Sequence, residues 1–531
     1  MSRTRLLAAL AAVTLPVAIG AFAVQERGAQ NGARLFDQVL AIVGDRFVDS
    51  IGTGDLYEKA ARGLVEELRD PYSELYTPKE LEAFNTTTGG FYGGIGMLIE
   101  DQNGSIMISK VYPNTPAEEA GIREGDRIIG IDTASTRGWK VDQVSSNLKG
   151  PPGTKVKARF GRPGVSEPFE VEFTRRIIRI PAIPFGLMLQ DKVAYIPVQQ
   201  FNETTTREFA AELQRLQREG AKGLVIDLRR NTGGFLDQAL DLANFFLPRG
   251  AELATVRGRT GAPERYVAEA APIAPTIPIV ILTDGYTASA SEIVAGALQD
   301  HDRALIVGTT SFGKGLVQSV YRLDGGYAIK LTTGKWYTPS GRSIQKPRVL
   351  DAAGNLVEVH PDSLETEADR RARPQYKSDG GRVVYGGGAI TPDVIVPYDT
   401  LTTAEQKLAK ALVPRSQDVY LSLDEYAFSL KAAGLAPDYA ITDAMRQELR
   451  TRLGARGVTV EDAIWTAGRS YVDRLLDDRI ARRAFGDSVA KRRDVREDVQ
   501  LLKALELLKK GRTTAELLAL GDSPLPAVRR D

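Results

Sequence analysis

Apolar and polar positions along the chain follow two different periods, and each period indicates a different kind of structure. Between residues 32 and 88 the apolar positions recur every three or four residues, as at Leu56, Ala60, Leu64 and Leu68, which is typical of amphipathic helices. From residue 89 to 177, short apolar runs are separated by glycine and proline. The sequence therefore predicts a helical N-terminal region followed by a small β-rich domain.

Strands followed by helices dominate the pattern from residue 178 to 398. The apolar run Gly223–Leu228 precedes a predicted helix near Leu236–Phe246, and Ile277–Leu282 precedes another near Ser289–Leu298. Repeated strand–loop–helix units predict an α/β domain with a parallel or mixed sheet.

Helical periodicity returns over residues 399–531. Two capping boxes are expected there, Thr402-x-x-Glu405 and Ser422-x-x-Glu425, each marking the start of a helix. A chain of 531 residues is several times longer than one hydrophobic core needs. The pattern therefore predicts a multidomain α/β plus α protein, with a β-rich domain inserted between a helical N-terminal region and the α/β core.

Composition excludes several kinds of site. Lys plus Arg number 69 and Asp plus Glu 68, so the net charge of +1 gives no electrostatic case for nucleic acid. The absence of cysteine excludes a thiol nucleophile, a disulfide and a cysteine-ligated zinc ion. With only two histidines, His301 and His360, a hydrolytic site is expected to take its base from another residue type. Asp300-His301-Asp302 is a weak candidate for a metal site, because its three side chains cannot all face one point, and a solvated helix C-terminus is expected instead. No metal or organic cofactor is predicted.

The N-terminus has the pattern of an export signal, predicted to span residues 1–23. Arg3 and Arg5 precede the uncharged segment Leu6–Val24, and Ala21-Phe22-Ala23 is an A-x-A cleavage site. The alternative is an uncleaved membrane anchor, since the apolar segment is close to the length that spans a bilayer. The mature protein is therefore expected in the periplasm or cell envelope, tethered there if the signal is not cleaved.

Ser289 is the candidate nucleophile. It lies in Thr287-Ala-Ser289-Ala-Ser-Glu292, where an apolar strand is predicted to turn into a helix. Backbone N–H groups at a helix N-terminus point toward a developing oxyanion, so the position suits a nucleophilic serine. The same residues also form a capping box, Ser289-x-x-Glu292, that requires no chemistry, and Ser291 is a competing serine.

Lys314 is the candidate base. It lies in Ser311–Gln318, after the predicted strand Ala304–Gly308, so Lys314 and Ser289 are expected at the same strand-end edge, where α/β sheets bind ligands. A lysine acts as a base only when it is neutral, and desolvation by apolar neighbours lowers a lysine pKa. The alternative is a solvent-exposed loop lysine.

These motifs resemble those of the carboxyl-terminal processing (tail-specific) serine peptidases, over roughly residues 36–398. The family's Ser-Ala-Ser-Glu and Phe-Gly-Lys-Gly segments match Ser289–Glu292 and Phe312–Gly315. The resemblance implies a crotonase-like or ClpP-like peptidase core over residues 178–398. It also implies Ser289 as the nucleophile, Lys314 as the base and Gln318 as the residue that orients the lysine.

A glycine loop supplies the expected oxyanion hole. The family's Asp-Leu-Arg-x-Asn-x-Gly-Gly loop matches Asp227–Gly234, after another predicted core strand. The resemblance suggests that the N–H of Ala290 and that of Gly233 or Gly234 bind the oxyanion, and the sequence does not choose between the two glycines. A turn whose glycines have no catalytic role is the alternative.

The β-rich domain, residues 89–177, resembles a PDZ domain. Tyr92-Gly-Gly-Ile-Gly-Met97 is similar to the carboxylate-binding loop of PDZ domains, and Pro116–Asp126 to a second PDZ motif. The likeness implies that Ile95, Gly96 and Met97 bind a peptide C-terminus while the following strand pairs with the peptide. Arg162 matches a position that couples the PDZ domain to the catalytic site in some relatives.

The sequence thus predicts an exported Ser/Lys endopeptidase that captures protein C-terminal tails and cleaves them through an acyl-enzyme. Its partners would be proteins or peptides with free C-termini, together with a second copy or a regulator bound through the C-terminal helices. Two other classes stay open. A catalytically silent PDZ adaptor would bind tails without cleaving them, and a crotonase-like acyl-thioester enzyme would leave the PDZ segment unexplained.

Overall fold

The computed structural model describes residues 31–102, 104–162, 165–350, 356–358 and 372–521. The predicted signal peptide, residues 1–23, and His360 lie outside the described residues. No helix in the described ranges is long and apolar enough to cross a membrane. The described residues divide into two compact units: residues 31–81 with Gln318–Thr332 and Leu356 form one, and the remaining described residues form the other.

The secondary structure alternates between helical and strand-rich regions. In chain order, the helices are α1 (31–46), α2 (Thr53–Glu66), α3 (Pro78–Gly89), α4 (Pro116–Glu119), α5 (Val141–Leu148), α6 (Thr205–Arg218), α7 (Leu236–Asn244), α8 (Ala290–Asp300), α9 (Thr403–Leu412), α10 (Ser416–Ala432), α11 (Asp443–Ala455), α12 (Asp462–Ala467), α13 (Arg469–Phe485), α14 (Asp487–Asp494), α15 (Val499–Lys510) and α16 (Thr514–Gly521). The strands are β1 (Glu74–Tyr76), β2 (Phe91–Gly94), β3 (Met97–Gln102), β4 (Ser105–Val111), β5 (Arg127–Ile131), β6 (Ala134–Ser135), β7 (Lys155–Gly161), β8 (Phe169–Thr174), β9 (Arg176–Arg179), β10 (Leu187–Met188), β11 (Val193–Pro197), β12 (Gly223–Asp227), β13 (Glu252–Gly258), β14 (Glu264–Val267), β15 (Ile279–Thr283), β16 (Leu305–Gly308), β17 (Leu316–Arg322), β18 (Ala328–Tyr337), β19 (Arg348–Leu350), β20 (Leu356–Glu358), β21 (Gln375–Lys377), β22 (Val383–Tyr385) and β23 (Val394–Ile395).

The smaller unit combines helices with strands. β1 pairs antiparallel with the start of β18, with Leu75 opposite Ile329, so a strand interrupts the region predicted to be helical over residues 32–88. The predicted apolar face is also only partly buried: Leu64 of α2 is 70% exposed, and Leu68, two residues beyond the end of α2, is 55% exposed. The spacing of apolar residues predicts the position of this helix correctly but does not indicate what packs against it.

The β-rich domain is an antiparallel sheet with two short helices. Its strand order is β3-β4-β5-β7-β8, with β6 beside β5 and a separate β2–β9 pair. Alternate side chains of β4, including Ile106 and Ile108, pack with Val144 and Leu148 of α5 in one core. β3 pairs only with β4 and lies at the edge of the sheet, so its other side has no strand partner among the described residues.

The α/β core is a six-stranded sheet with the order β10-β11-β12-β15-β16-β23. β10 is antiparallel to β11, and the other neighbours are parallel. Both faces of the sheet are buried, because alternate side chains of β11, β12, β15 and β16 enter different cores: Ile281 of β15 lies in one core and Leu282 in the other. Helices α6, α7 and α8 cover the first face, and α15 and α16 cover the second.

The C-terminal helices divide into two groups. Helices α9 to α13 share an apolar core of their own, whereas α15 and α16 pack on the sheet of the α/β core. The residues predicted as one helical region thus belong to two different cores. Thr402 caps α9 as predicted, but Ser422 lies inside α10 and its hydroxyl donates to the carbonyl of Asp418. A Ser-x-x-Glu sequence is therefore not a helix start when the preceding residues are already helical.

Part of the C-terminal helical region covers the outer face of the β-rich domain. Ser109 of β4 is only 3% exposed although it points away from the domain's own core. Arg483 of α13 donates to the carbonyl of Ser109 and pairs with Asp424 of α10, and Lys110 pairs with Asp487 of α14. The helical region is thus bound to both the β-rich domain and the core sheet.

Candidate active site

Ser289 lies at the carboxyl end of β15, in the turn that begins α8. Its backbone has φ of 55° and ψ of −116°, a left-handed conformation that costs free energy in a residue other than glycine and that often occurs at functional turns. Neighbouring hydrogen bonds hold the turn, because Thr287 donates its N–H to Asp284 and its hydroxyl to the Leu228 carbonyl. Ser289 itself is partly exposed.

Ser291 does not share this exposure. It is completely buried, and its hydroxyl donates to the carbonyl of Asn231 at 3.1 Å. The structure thus separates the two serines that the sequence left in competition: one is partly exposed at the turn, and the other ties α8 to the neighbouring loop.

The glycine loop, residues 227–234, packs directly against Ser289. The carbonyl of Asn231 accepts the Ala288 N–H at 3.0 Å. Gly233 has φ of 99°, and a Cβ placed on it would lie 2.9 Å from the Cβ of Ser289. Gly234 leaves even less room, since a Cβ there would lie 2.0 Å from the Phe201 carbonyl oxygen. Glycine at these two positions therefore allows the loop to lie this close to Ser289 and to Phe201.

The backbone N–H groups of Gly233 and Gly234 differ in whether they are already hydrogen-bonded. Gly233 donates to the side-chain oxygen of Asn231 at 2.9 Å, so its N–H is already engaged in this structure. The N–H groups of Gly234 and Ala290 meet no acceptor among the described residues. The geometry therefore favours Ala290 and Gly234 as donors to an oxyanion, a choice that the sequence left open.

Glu292 connects Ser289 to the loop that carries Lys314. Its carboxylate is completely buried and accepts the Ser289 N–H at 2.8 Å and the Lys314 N–H at 2.9 Å. It also accepts the Gly313 N–H and the Ser311 hydroxyl. Burial raises the pKa of Glu292, although these four hydrogen bonds act to lower it.

The backbone of Lys314 is held on both sides. Its carbonyl accepts the indole N–H of the buried Trp336 at 3.1 Å, and the N–H of Gly315 donates to Gln345. Lys314 lies in a loop rather than a helix, and Gln318 is the third residue of strand β17. The four-residue spacing between them is therefore not a helical turn. The amide of Gln318 donates to the hydroxyl of Thr332 at 3.3 Å.

The predicted peptide-binding loop lies just before the edge strand β3. Gly96 has φ of 92°, and a Cβ there would collide with Thr115, so glycine is required. The carbonyl of Ile95 accepts the Ala117 N–H, and Met97 begins β3 opposite Val111. Helix α5 packs beside β3 in the same domain core, and β3 is an edge strand, the kind of strand to which an extended peptide can add.

Arg162 has a structural contact within the same domain. It pairs with the buried Asp126 through Nε and Nη2, both at 2.7 Å, and its Nη2 also donates to the Gly121 carbonyl. Its guanidinium lies over the ring of Phe169. All of these contacts lie within the β-rich domain, and the coupling role implied by the resemblance stays a prediction.

The Asp300-His301-Asp302 segment turns its side chains toward different partners. Asp300 pairs with the buried Arg342, Asp302 with Arg382, and His301 with Asp379. Within the described ranges no group of three or more His, Cys, Asp or Glu residues could hold a metal ion.

Sequence reasoning missed three residues that shape the site. The sequence predicts Glu292 only as a helix-capping residue, although it lies within the Ser-Ala-Ser-Glu motif. Asp284 binds the Arg230 N–H and thereby holds the glycine loop, and its place just after strand β15 was the available signal. Asp498, which binds Arg229 of the same loop, carries no local signal because it lies far away in the chain.

Comparisons with known proteins match two segments of the chain. The model of peptidase family S41 matches residues 192–352, and that of the PDZ domain matches residues 88–157. A carboxy-terminal-processing protease of Bartonella bacilliformis is 36% identical over 58% of this chain and 72% of its own length. The carboxy-terminal processing protease CtpA of Bacillus subtilis is 32% identical over 63% and 72%. A solved photosystem II D1 C-terminal processing protease is 28% identical over 62% of this chain and 93% of its own, with a TM-score of 0.35.

Proposed function

The chain belongs to peptidase family S41 as a carboxy-terminal processing serine protease with a PDZ domain, and from this premise we propose that Ser289 and Lys314 form its catalytic dyad. Gln318 completes the proposal as the residue that orients the lysine. The observation that carries it is the buried carboxylate of Glu292, which binds the backbone N–H of both Ser289 and Lys314. One side chain thereby ties the nucleophile's turn to the base's loop.

The proposed reaction is acyl transfer in two steps. The hydroxyl oxygen of Ser289 attacks the scissile carbonyl carbon while neutral Lys314 takes the hydroxyl proton. The N–H groups of Ala290 and Gly234 stabilise the oxyanion, and Lys314 passes the proton to the leaving amine as the peptide bond breaks. Water then attacks the resulting ester with Lys314 again as base, which releases the new carboxyl terminus and restores Ser289.

The PDZ domain selects the substrate in this proposal. A protein C-terminus would place its carboxylate at the N–H groups of Ile95, Gly96 and Met97 and pair its last residues with the free edge of β3. Main-chain hydrogen bonds along β3 would supply affinity, and contacts with alternate side chains of the tail would supply specificity. The substrates are therefore proteins or peptides with accessible C-terminal tails.

The cellular location of the enzyme, the fold of its core and the role of its C-terminal helices are parts of the same proposal. Arg3, Arg5 and the A-x-A site at Ala21–Ala23 support export to the periplasm or cell envelope. The parallel sheet with helices on both faces supports a crotonase-like or ClpP-like description of the peptidase core. The C-terminal helices stay candidates for binding a second copy or a regulator.

The test is cleavage of an unstructured protein, β-casein, followed by mass spectrometry. We expect the protein without residues 1–23 to cleave it, and Ser289→Ala, Lys314→Ala and Lys314→Arg to leave it intact while retaining wild-type circular dichroism. Lys407→Ala, which removes an exposed lysine of α9, is the matched control and should cleave normally. Cleavage by the Ser289 variant would refute the mechanism. Tail binding without cleavage by the wild type would favour the silent PDZ adaptor.

A further inference from the structure

A buried ion-pair network joins the glycine loop to the C-terminal helices. Arg229 of the loop donates from Nη1 and Nη2 to the two carboxylate oxygens of Asp498, at 2.9 and 2.8 Å. The same guanidinium donates from Nε and Nη2 to the carboxylate of Asp227, at 2.9 and 2.6 Å. Gln500 accepts a fifth hydrogen bond from Arg229 at 3.0 Å. The guanidinium of Arg229 thus makes five hydrogen bonds, which connect the end of β12 to the start of α15.

The surroundings of Asp498 fix its position. It is the N-cap of α15 and accepts the Leu501 N–H at 3.0 Å, and it accepts the ammonium group of Lys491 at 2.6 Å. The side chains of Asp498 and Arg229 are only 9% and 12% exposed. Burial alone would raise the pKa of Asp498, but its bonds to Arg229 and Lys491 hold that pKa well below the usual range. Asp498 is therefore a fixed anion beside the catalytic loop.

The network reaches the predicted oxyanion donors through a short piece of backbone. Arg230 follows Arg229 with a φ of 61°, a strained conformation. Asn231 comes next, and its side-chain oxygen accepts the Gly233 N–H while its carbonyl accepts the Ala288 N–H beside Ser289. A shift of Arg229 would thus displace both the glycines and the nucleophile's turn.

We propose that Asp498, acting through Arg229, is a positioning residue that holds the glycine loop in the conformation that presents its N–H to the oxyanion. The inference rests on the proposed function, because an oxyanion forms only if Ser289 is the nucleophile. It assigns the C-terminal helices a part in the chemical step, although they contribute no atom to the reacting centre.

The alternative is an ion pair that only stabilises the fold. Such a pair would lower the free energy of unfolding when broken and leave the turnover of the folded enzyme unchanged. A positioning pair would lower kcat in protein that is still folded, with little change in KM, since oxyanion stabilisation acts in the transition state. Comparing the loss of kcat with the loss of unfolding free energy therefore distinguishes a positioning role from a purely stabilising one.

The test compares Asp498→Asn with a matched variant. Asparagine keeps the shape and the helix cap but loses the charge that binds Arg229. Asp473→Asn is the control, because Asp473 also accepts two hydrogen bonds from a buried arginine, Arg446, but within the C-terminal helical core. We measure kcat and KM on a fluorogenic peptide, the rate at which a fluorophosphonate labels Ser289, and the unfolding transition of each variant.

We expect kcat and the labelling rate to fall about 10- to 100-fold in Asp498→Asn, with KM changed less than about threefold. Asp473→Asn should keep the wild-type kcat even if its unfolding midpoint falls as much. Arg229→Lys, which keeps one charge but cannot bridge two carboxylates, should reproduce the loss of kcat and serves if Asp498→Asn does not fold.

Two results would refute the inference and not the proposed function. One is wild-type kcat in folded Asp498→Asn or Arg229→Lys, and the other is an equal loss of kcat in Asp473→Asn. In either case Ser289→Ala would still abolish cleavage and labelling. Cleavage by Ser289→Ala would instead refute the proposed function, and the inference with it.

Discussion

The two faces of the core sheet are covered by helices of different origin. Helices α7 and α8 follow directly after strands β12 and β15, so the first face is built by connections between neighbouring strands. The second face is covered by α15 and α16, which come much later in the chain. Each face also supplies one buried carboxylate near the site: Glu292 from α8 and Asp498 from the start of α15.

These two carboxylates hold their loops by different physical means. Glu292 accepts only uncharged donors, and burial raises its pKa. Asp498 is bound by Arg229 and Lys491, and these cations keep its pKa low. The local face thus fixes the turn and the loop of the proposed dyad with neutral hydrogen bonds. The remote face fixes the glycine loop with charge.

The largest effect is expected from Glu292→Gln. The carboxylate of Glu292 now accepts four hydrogen bonds, and the amide NH2 of glutamine would face two of their donors. Each buried donor left unpaired costs about 1–3 kcal/mol. We expect the free energy of unfolding to fall by about 2–6 kcal/mol and cleavage to be lost. Denaturant unfolding and casein cleavage measure the two effects.

Its matched control is Glu405→Gln in α9. Glu405 is also a buried glutamate at the third position of a helix, where it binds the backbone of its cap residue Thr402 and the hydroxyl of Ser470. We expect this change to lower stability without changing kcat. Normal turnover in folded Glu292→Gln would show that the backbone tie between Ser289 and Lys314 is dispensable.

A second prediction compares the packing of the two faces. Leu298 of α8 and Leu501 of α15 are both completely buried, on opposite faces of the sheet. Truncating either to alanine leaves a cavity, so we expect both to cost about 2–5 kcal/mol in the free energy of unfolding. Hydrogen exchange should show faster opening of β15 and β16 in both variants. If Leu501→Ala instead loosened α15 while β16 kept its protection, the second face would be an independent unit.

The smallest expected effect is on the pH dependence of stability. Asp498 has a lowered pKa in the folded protein, so its contribution is fully present above the usual aspartate pKa and is lost as pH falls toward the folded value. Below about pH 4, the free energy of unfolding should therefore fall less steeply in Asp498→Asn than in the wild type. The slopes should differ by at most about 1.4 kcal/mol per pH unit. Parallel curves from pH 5 to 3 would contradict the ion pairing.

Glu292 should act in the opposite direction. Its pKa is raised, so the folded state binds this proton more tightly than the unfolded state does, and the contribution is lost as pH rises through the folded pKa. The two faces of the sheet thus respond to acid with opposite signs, a consequence of how each carboxylate is bound.

The local face could be predicted from the sequence, and the remote face could not. Ser289, Lys314 and the glycine loop each follow a predicted strand, and loops at the carboxyl ends of parallel strands meet at one edge. The pairing of Asp498 with Arg229 depends instead on how distant helices pack, which no local period encodes. For the same reason, Leu64 and Leu68 fit a helical pattern although neither is buried in the structure.

Capping residues show the same limit on a smaller scale. Thr402 and Ser422 carry the same three-residue spacing to glutamate, but only Thr402 caps a helix. Ser422 already lies within α10, and its spacing to Glu425 is simply that of one helical turn. The motif is thus informative only together with the structure that precedes it.

The position of α15 near the end of the chain has a consequence for folding during synthesis. As the chain is synthesised, Ser289 and Lys314 are complete long before α15 and α16, and until then the second face of the sheet is an uncovered apolar surface. Asp498 is also missing from the glycine loop during that interval. Under the proposed mechanism, the nascent chain would carry Ser289 and Lys314 without the anchor for the glycine loop, so full proteolytic activity is expected only after the last helices pack on the sheet.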